Sequence, residues 1–231
     1  MRTYLISLSL PDRFAAELER HGRVLRLPPS RTVPEPTGAH PDTLIGRVGN
    51  ELFVAEDETA IRSALDGANI GYRISHHVSG AVYPRDCALN FFTAGKYVFG
   101  RVASMSREAL NFASESGYEI VDVRQGYAHC STAVFGNGMI TADEGIRRAA
   151  DSRGIKTLSV SPGGVSLPPY EYGFIGGACG VIDDELVMFF GSLDSHPDGK
   201  AIRAFISSLG KKIVEFEGKL CDHGGIYRVD T

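Results

Sequence analysis

The feature that most constrains this chain is an internal repeat. One order of segments recurs along the sequence: an apolar run, a turn, a second apolar run, a helix-like segment closed by glycine, and a third apolar run. Four copies of this ββαβ order begin near residues 42, 87, 130 and 178. The N-terminus supplies only a strand, a helix over residues 12–21 and a further strand, and residues 224–230 at the C-terminus can supply the strand that is missing.

The repeat predicts how the whole chain is organised. Five ββαβ units whose last member is assembled from both chain ends imply a closed ring, because closure removes the exposed sheet edges of the separate units. We therefore predict an α/β propeller that forms a single domain over residues 1–231, with residues 225–230 paired to the N-terminal strand. The alternative is an α+β sandwich in which the even spacing is coincidental.

Composition narrows the functional classes. The chain has 231 residues, of which 43% are hydrophobic and 23% charged, and its net charge is −4. This charge argues against a nucleic-acid partner, which usually requires a basic excess. Without a long apolar segment we expect neither a membrane partner nor export, and therefore a soluble cytoplasmic protein. The four cysteines form no Cys-x-x-Cys pair, so we expect reduced thiols, no metal and no cofactor. The oligomeric state stays open.

Three short motifs carry a resemblance to a known family. They are the stretches 40–43 (His-Pro-Asp-Thr), 125–130 (Gln-Gly-Tyr-Ala-His-Cys) and 173–177 (Gly-Phe-Ile-Gly-Gly). Together with the five ββαβ units, they resemble the pentein fold of the guanidino-group-modifying enzymes, which include arginine deiminases, dimethylarginine hydrolases and amidinotransferases. The sequence is most similar to a group of compact bacterial members of unassigned function.

The resemblance implies roles for particular residues. In catalytic members, a His-x-Asp motif supplies an acid/base histidine and a carboxylate that grips the guanidinium, and His40 and Asp42 match it. The nucleophilic cysteine of many members follows a pattern like Gly-Gly-x-His-Cys. Here the corresponding segment, residues 224–228, ends in Arg228. A guanidinium cannot form the covalent intermediate that a thiolate forms, so ordinary deiminase chemistry would need another nucleophile.

Cys130 is the candidate for that nucleophile. Asp42, Ala88 and His129 each lie seven residues before the glycine of a hairpin turn, so they occupy equivalent positions at the starts of three predicted strands. We call these positions the strand heads and predict that they line one end of a central channel. His40 and Cys130 then belong to the second and fourth units, the separation that the family uses for its histidine and cysteine. The alternatives are that Cys130 is only a buried packing residue and that His40 is a hydrogen-bonded loop residue.

Other polar residues near the strand heads are candidates for binding a ligand. Three carboxylates at one channel mouth would attract a cation, although they could equally form ion pairs with Arg85 and Arg228. The candidate binding residues are Asp42, Asp86, Asn90, Gln125, Tyr127, His129 and Asp222.

Two functions therefore remain open. The first is a hydrolase or transferase that acts on a guanidino, amidino or other small cationic nitrogen compound, with His40 and Cys130 as catalytic residues. Its thiolate would need a lowered pKa, for example from a protonated His40 or His129. The second is a non-catalytic pentein-fold protein that binds a small ligand or a macromolecular partner. Arg228 favours the second function, whereas the His40–Asp42 motif favours the first.

Overall fold

The protein is built from five small sheets of three strands each. The structure is a computed structural model, and it describes residues 2–77, 80, 82–136 and 138–230. The strands are β1 (Arg2–Ser7), β2 (Arg23–Leu27), β3 (Ile45–Val48), β4 (Glu51–Ala55), β5 (Arg73–Ser75), β6 (Phe92–Ala94), β7 (Tyr97–Gly100), β8 (Glu119–Asp122), β9 (Thr132–Val134), β10 (Gly138–Thr141), β11 (Lys156–Ser159), β12 (Cys179–Val181), β13 (Leu186–Phe189), β14 (Lys212–Val214) and β15 (Tyr227–Asp230). The helices are α1 (Asp12–Glu19), α2 (Pro41–Leu44), α3 (Thr59–Gly67), α4 (Arg107–Glu115), α5 (Glu144–Asp151) and α6 (Gly199–Ser208).

All five sheets share one connectivity. Their strand orders are β15-β1-β2, β3-β4-β5, β6-β7-β8, β9-β10-β11 and β12-β13-β14. In each, the starting strand (β15, β3, β6, β9 or β12) pairs antiparallel with the middle strand, and the third strand, which follows a helix, pairs parallel with it. This arrangement confirms the predicted ββαβ units and the α/β class. We number the units from one to five, and the first contains both chain ends.

The two chain ends meet in the first sheet. Strand β15 runs antiparallel to β1, with Arg2 opposite Asp230 and Leu5 opposite Tyr227. The pairing predicted for residues 225–230 is therefore confirmed, and the strand itself covers the last four of them.

Local sequence signals explain where the helices begin. The Ser106 hydroxyl accepts a hydrogen bond from the Ala109 amide at 3.3 Å, and the Asp143 carboxylate accepts one from the Ile146 amide at 2.8 Å. Each cap satisfies a backbone donor that has no partner within its helix. After α4 the chain turns at Gly117, whose φ of +78° lies in the region where glycine carries no steric cost.

The hydrophobic core is divided into five clusters, and each cluster joins two neighbouring units. Representative pairs are Leu5 with Val54, Phe53 with Phe91, Phe99 with Met139, Ile140 with Phe189, and Phe14 with Phe190. Since burial of large apolar side chains is the main favourable contribution to folding, each unit depends on both of its neighbours. Among the helices described, none is long and apolar enough to cross a membrane.

One cavity is lined by residues from all five starting strands. Its volume is about 340 Å³, and its wall includes Arg47 of β3, Phe92 of β6, Ala133 of β9, Val181 of β12 and Arg228 of β15. We call it the arginine cavity, after Arg47 and Arg228. It runs along the starting strands and includes residues of the turns on both sides of them, whereas the candidate site lies in the turns before the strands.

Candidate functional site

The predicted site residues lie in short turns just before the starting strands. Helix α2 carries Asp42, a single turn of 3₁₀ helix over Arg85–Cys87 carries Asp86, and turns hold His129 and Cys130. The prediction that these residues head the strands is therefore wrong by a few residues. In α2 the reason is Pro41, which fits the first helical position because its φ is fixed and its missing N–H would have no helical partner.

Asn90 connects three of these segments. Its side-chain oxygen accepts hydrogen bonds from the backbone amides of His129 at 2.8 Å and Cys130 at 3.2 Å. Its side-chain nitrogen donates to the carbonyl of Asp42 at 2.9 Å and to the Cys130 sulfur at 2.8 Å. The amide is fully buried, and its two donors and two acceptor positions are all engaged by the protein. Asn90, which the sequence suggested as a ligand-binding residue, therefore holds the second, third and fourth units together here.

Asp222 orients His40. The Nδ1 atom of His40 lies 3.4 Å from Asp222 Oδ1, and both side chains are buried. The same carboxylate accepts hydrogen bonds from the backbone amides of Gly224 at 3.0 Å and Phe174 at 2.8 Å. Burial raises the pKa of Asp222, and the neighbouring His40 opposes that shift. A carboxylate in this position sets the direction and tautomer of an imidazole, so Asp222 is placed to support His40.

Asp42 is a buried carboxylate that lacks a full set of partners. Its exposed fraction is 1%, and among the described residues its Oδ2 atom has no hydrogen-bond partner. Burial and the negative charge of Asp222 raise its pKa to about 6, while His40 acts in the opposite direction. Because an unsatisfied buried carboxylate is costly, this oxygen is placed to receive a donor from a ligand.

The Cys130 thiol is protonated in this environment. Burial raises its pKa well above the ordinary value, the charges of Asp42 and Asp222 raise it further, and the hydrogen bond from Asn90 acts against them. The expectation of a protonated His129 beside the thiol is wrong. Burial and Arg47 lower the pKa of that imidazole to about 4, and its Nδ1 shares a hydrogen bond of 2.7 Å with the Tyr227 hydroxyl.

Asp86 and Tyr127 lie at an aromatic rim outside this buried group. The Tyr127 hydroxyl donates to Asp86 Oδ2, and Asp86 Oδ1 is buried and has no partner among the described residues. The Tyr127 ring lies between Tyr83, with ring centres 6.0 Å apart, and Phe174, at 6.2 Å. Phe174 is also the residue whose backbone amide binds Asp222. The rim and the buried residues are therefore directly connected.

Gln125 lies beside the rim and contacts protein groups. Its side-chain oxygen accepts a hydrogen bond from the Tyr127 amide at 3.1 Å, and its nitrogen donates to the Asp143 carboxylate at 3.4 Å. It thereby connects the Tyr127 turn to the start of α5.

Arg228 does not enter the site. It lies on β15, where its guanidinium forms ion pairs with Asp184 at 3.2 Å and Asp230 at 2.8 Å. The alternative in which Arg228 neutralises the site carboxylates is therefore wrong, since its partners are two exposed aspartates elsewhere. The preceding Tyr227 is buried, and its hydroxyl donates to the Ile45 carbonyl at 2.6 Å. Sequence reasoning missed this hydroxyl, and only the apolar pattern around it hinted that it would be buried.

We call the group formed by His40, Asp42, Asn90, Cys130 and Asp222 the carboxylate cluster. It combines a thiol, an imidazole oriented by a carboxylate, and a second carboxylate with a free oxygen. In the part of the chain that the structure describes, no group of three or more His, Cys, Asp or Glu side chains is arranged to hold a metal ion. The cluster thus combines an unsatisfied carboxylate oxygen on Asp42, which can accept a hydrogen bond, with two groups, His40 and Cys130, that can exchange protons.

A sequence model of one protein family matches almost the whole chain. It is described as a family of unknown function (DUF6873), and it covers residues 5–227. Comparison with curated protein sequences gives no match.

Several solved structures share the fold at low sequence identity. Dimethylarginine dimethylaminohydrolase from Pseudomonas aeruginosa, as a cysteine-to-serine mutant with citrulline, has a TM-score of 0.58 and 10% identity over 93% of this chain and 91% of its own. The amidinotransferase SxtG from Microseira wollei has a TM-score of 0.56 and 14% identity, over 89% of this chain and 73% of its own. A third structure is the N-terminal domain of a mutant of the cyanobacterial arginine dihydrolase ArgZ, covalently bound to a reaction intermediate. It has a TM-score of 0.59 and 9% identity, over 94% of this chain and 91% of its own. These pentein-fold enzymes confirm the predicted resemblance of fold.

Proposed function

The chain belongs to the family of unknown function DUF6873, and we propose that it acts on a small guanidinium or amidinium compound bound at the carboxylate cluster. The observation that carries the proposal is the Asp42 Oδ2 atom, which is buried without a hydrogen-bond partner among the described residues. A guanidinium is planar, permanently charged and rich in N–H donors, so it satisfies a carboxylate better than a compact ammonium does. The enzymes with similar folds include structures bound to citrulline and to a reaction intermediate.

The cluster then supplies a covalent route. Burial and the charges of Asp42 and Asp222 raise the pKa of Cys130, and a bound cation beside Asp42 offsets part of that charge, so that the thiol passes its proton to His40 when substrate is present. The thiolate sulfur attacks the central guanidinium carbon and forms a C–S bond. One C–N bond breaks, and His40, oriented by Asp222, gives a proton to the leaving nitrogen. Water, or an amine in a transferase, then attacks the same carbon and displaces the sulfur, which regains its proton.

The aromatic rim gives this proposal a path for the ligand. Tyr83 and Tyr172 are exposed, whereas Tyr127 and Phe174 are half-buried and continue toward Asp222. Ring faces attract cations, and the free Oδ1 of Asp86 adds a negative group among them. We assign binding roles at this mouth to Asp86 and Tyr127, and supporting roles to Gln125 and His129.

The proposed architecture is a closed ring in one domain. Each of the five core clusters joins two neighbouring units, and the last joins the fifth unit to the first. All five starting strands also line the arginine cavity. Both observations support closure around a central axis, with the carboxylate cluster at one end of it.

A second candidate function is ligand binding without catalysis. Two observations favour it: Arg228 stands at the position that the family pattern gives to the thiol, and the pKa of Cys130 is raised in the unliganded protein. In that case, Asp42 still binds the cation, but no covalent bond forms.

One experiment separates these candidates. The protein is titrated with methylguanidine, agmatine and arginine by calorimetry, and the same samples are assayed for released ammonia or amine and for a covalent adduct by mass spectrometry. Catalysis predicts turnover that is lost in Cys130→Ser and an adduct on Cys130, whereas simple binding predicts heat without product. Asp42→Asn should abolish binding in either case, and Asp66→Asn, at an exposed carboxylate of α3 that contacts Tyr72, serves as the carboxylate control. If none of the three compounds binds, the proposed function is wrong.

A further inference from the structure

The arginine cavity runs along the starting strands, whereas the carboxylate cluster lies in the turns before them. Residues of the cluster precede those strands: Asp42 precedes β3, Asn90 precedes β6 and Cys130 precedes β9. Residues of the cavity lie on the starting strands and in the turns on either side of them, for example His129 before β9 and Asn50 after β3. None of the five cluster residues lines the cavity, so the two sites are separate places for ligands, and an inference about the cavity does not depend on the proposed function.

The cavity wall is positively charged. It contains Arg47 and Arg228, and no aspartate or glutamate is among its lining residues. Arg228 is neutralised by ion pairs with Asp184 and Asp230. Arg47 has no carboxylate within ion-pair distance in the described part of the chain. One positive charge in the wall therefore has no direct ion-pair partner, and the nearby Asp230, which pairs with Arg228, acts on it only at longer range.

The contacts of Arg47 leave room for a ligand. Its guanidinium donates to three neutral oxygens: the carbonyls of Gly49 at 2.7 Å and Arg228 at 2.8 Å, and the Asn50 side chain at 3.2 Å. A guanidinium carries five N–H groups, so one on each terminal nitrogen remains unused. Two N–H groups on the two terminal nitrogens are the pair that a carboxylate engages with both oxygens.

The rest of the cavity wall favours a ligand in which an apolar group is attached to the carboxylate. Phe92, Val134, Phe135 and Val181 contribute apolar surface to the cavity, beside polar groups from Thr93 and Asn50. An ion with two negative charges would exceed the single unpaired positive charge, and apolar walls would not solvate its remaining oxygens. A volume of about 340 Å³ accommodates a small molecule. Charge and surface both point to a monoanion with an apolar part.

We propose that the arginine cavity is a binding site for a small organic monocarboxylate, whose carboxylate engages the unpaired Arg47 guanidinium and whose apolar part packs against Phe135 and Val181. The site is distinct from the carboxylate cluster. His129 faces the cavity, and its backbone amide binds Asn90 of the cluster, so it reports on both places.

Calorimetry and NMR on the full chain test this proposal. Acetate, butyrate and benzoate are titrated at constant ionic strength, with chloride, sulfate and phosphate as the other anions. We expect millimolar or tighter binding of butyrate and benzoate, weaker binding of acetate, and no comparable saturation by the inorganic anions. A bound carboxylate should also raise the pKa of His129, which lies at about 4 without a ligand, and the imidazole resonances measure this shift. Equal binding of sulfate or phosphate would overturn the carboxylate assignment, and no saturation by any carboxylate would overturn the site.

Variants locate the anion within the cavity. Arg47→Met keeps most of the apolar stem and removes the charge, so it should weaken benzoate binding roughly tenfold or more. Arg228→Met is the matched control, because that arginine already has carboxylate partners, and it should change the affinity less than threefold. Equal losses in both variants would contradict the assignment to Arg47. If Arg47→Met does not fold, Val134→Phe fills the cavity without changing its charge, and unchanged binding in that variant would overturn the proposal.

Discussion

The carboxylate cluster and the arginine cavity carry opposite charges although strands β3, β6, β9 and β15 contribute to both. At the carboxylate cluster, Asp42 and Asp222 are buried with one histidine. At the arginine cavity, Arg47 has no ion-pair partner among the described residues and Arg228 is paired with exposed aspartates. The two sites also differ in how completely their polar groups are satisfied: all four positions of the Asn90 amide are engaged by the protein, whereas Arg47 uses three of its five N–H groups. A repeated backbone thus fixes where side chains meet, and the residues of the turns around each strand decide the chemistry of each site.

Removing the C-terminal strand should have the largest effect, because it damages both sites together. Truncation after Lys219 deletes β15, and with it Asp222 of the cluster and Arg228 of the cavity. It also leaves β1 with an unpaired edge and removes the buried side chains of Leu220 and Tyr227. We expect no cooperative thermal unfolding transition in the truncated chain, as measured by circular dichroism. A cooperative melt within a few degrees of the full-length protein would contradict the role assigned to the paired ends.

Substitution of Asn90 should affect the cluster far more than a matched change affects the cavity. Asn90→Ala leaves the amides of His129 and Cys130 and the carbonyl of Asp42 without their buried partner. Unsatisfied buried polar groups cost about 1–3 kcal/mol each, so we expect a loss of about 3 kcal/mol or more in the free energy of unfolding. The control is Asn50→Ala at the exposed cavity side, where we expect a loss below about 1 kcal/mol. Urea denaturation measures both, and similar losses would show that the two sites are equally constrained.

The sequence predicted the framework because its signals are local. Alternation of apolar residues and the glycines that follow α4, α5 and α6 act within a few residues, and each agrees with the structure. The site depended on contacts between distant segments. Asn90 meets Cys130 across 40 residues, and Phe174 meets Asp222 across 48. Composition and spacing cannot reveal which partner a buried amide or carboxylate chooses.

The protonation of Asp42 shows what such distant contacts change. The sequence marks Asp42 as a carboxylate but carries no sign of its pKa, which burial and Asp222, far away in the chain, raise to about 6. Likewise, burial first and then Asp42 and Asp222 raise the pKa of Cys130, whereas the catalytic hypothesis needs a lowered one. Titration behaviour is therefore the part of the site that required the structure.

The pH dependence of stability should distinguish the cluster from the rest of the protein. In the folded state the pKa of Asp42 is about 6, above its ordinary value of 3.8, so the folded protein binds more protons than the unfolded chain between these pH values. Stability contributed by protonated Asp42 is therefore present below about pH 4 and is lost as pH rises through about 6. The expected difference is about 2–3 kcal/mol. Urea denaturation of wild type and Asp42→Asn across this window measures it, and parallel pH profiles would show that Asp42 does not titrate there.

The titration of Asp42 also predicts how the affinity for a cationic ligand depends on pH. A proton on Asp42 competes with a cation for the carboxylate, so the affinity for methylguanidine should increase as pH rises through about 6 and then level off. Calorimetry at several pH values measures this, with benzoate binding at the arginine cavity as the internal comparison. Benzoate affinity should not follow the same curve, since Asp42 does not line that cavity.

The smallest expected effect is a change in thiol reactivity, and it compares the two sites within one experiment. Cys130 belongs to the cluster, while Cys179 lines the arginine cavity, and both are buried with raised pKa values. Cys221 is the more exposed thiol, so without a ligand iodoacetamide should label it first and Cys130 and Cys179 slowly. Methylguanidine offsets the charge of Asp42, which raises the pKa of Cys130 but is not among the causes of the shift at Cys179. We therefore expect the cation to accelerate labelling of Cys130 severalfold and to leave Cys179 unchanged, as measured by mass-spectrometric peptide mapping.

The acceleration should disappear in Asp42→Asn. Acceleration of both thiols would instead indicate general loosening of the fold by the ligand, and acceleration of neither would remove the support for Cys130 as a nucleophile and leave the binding function.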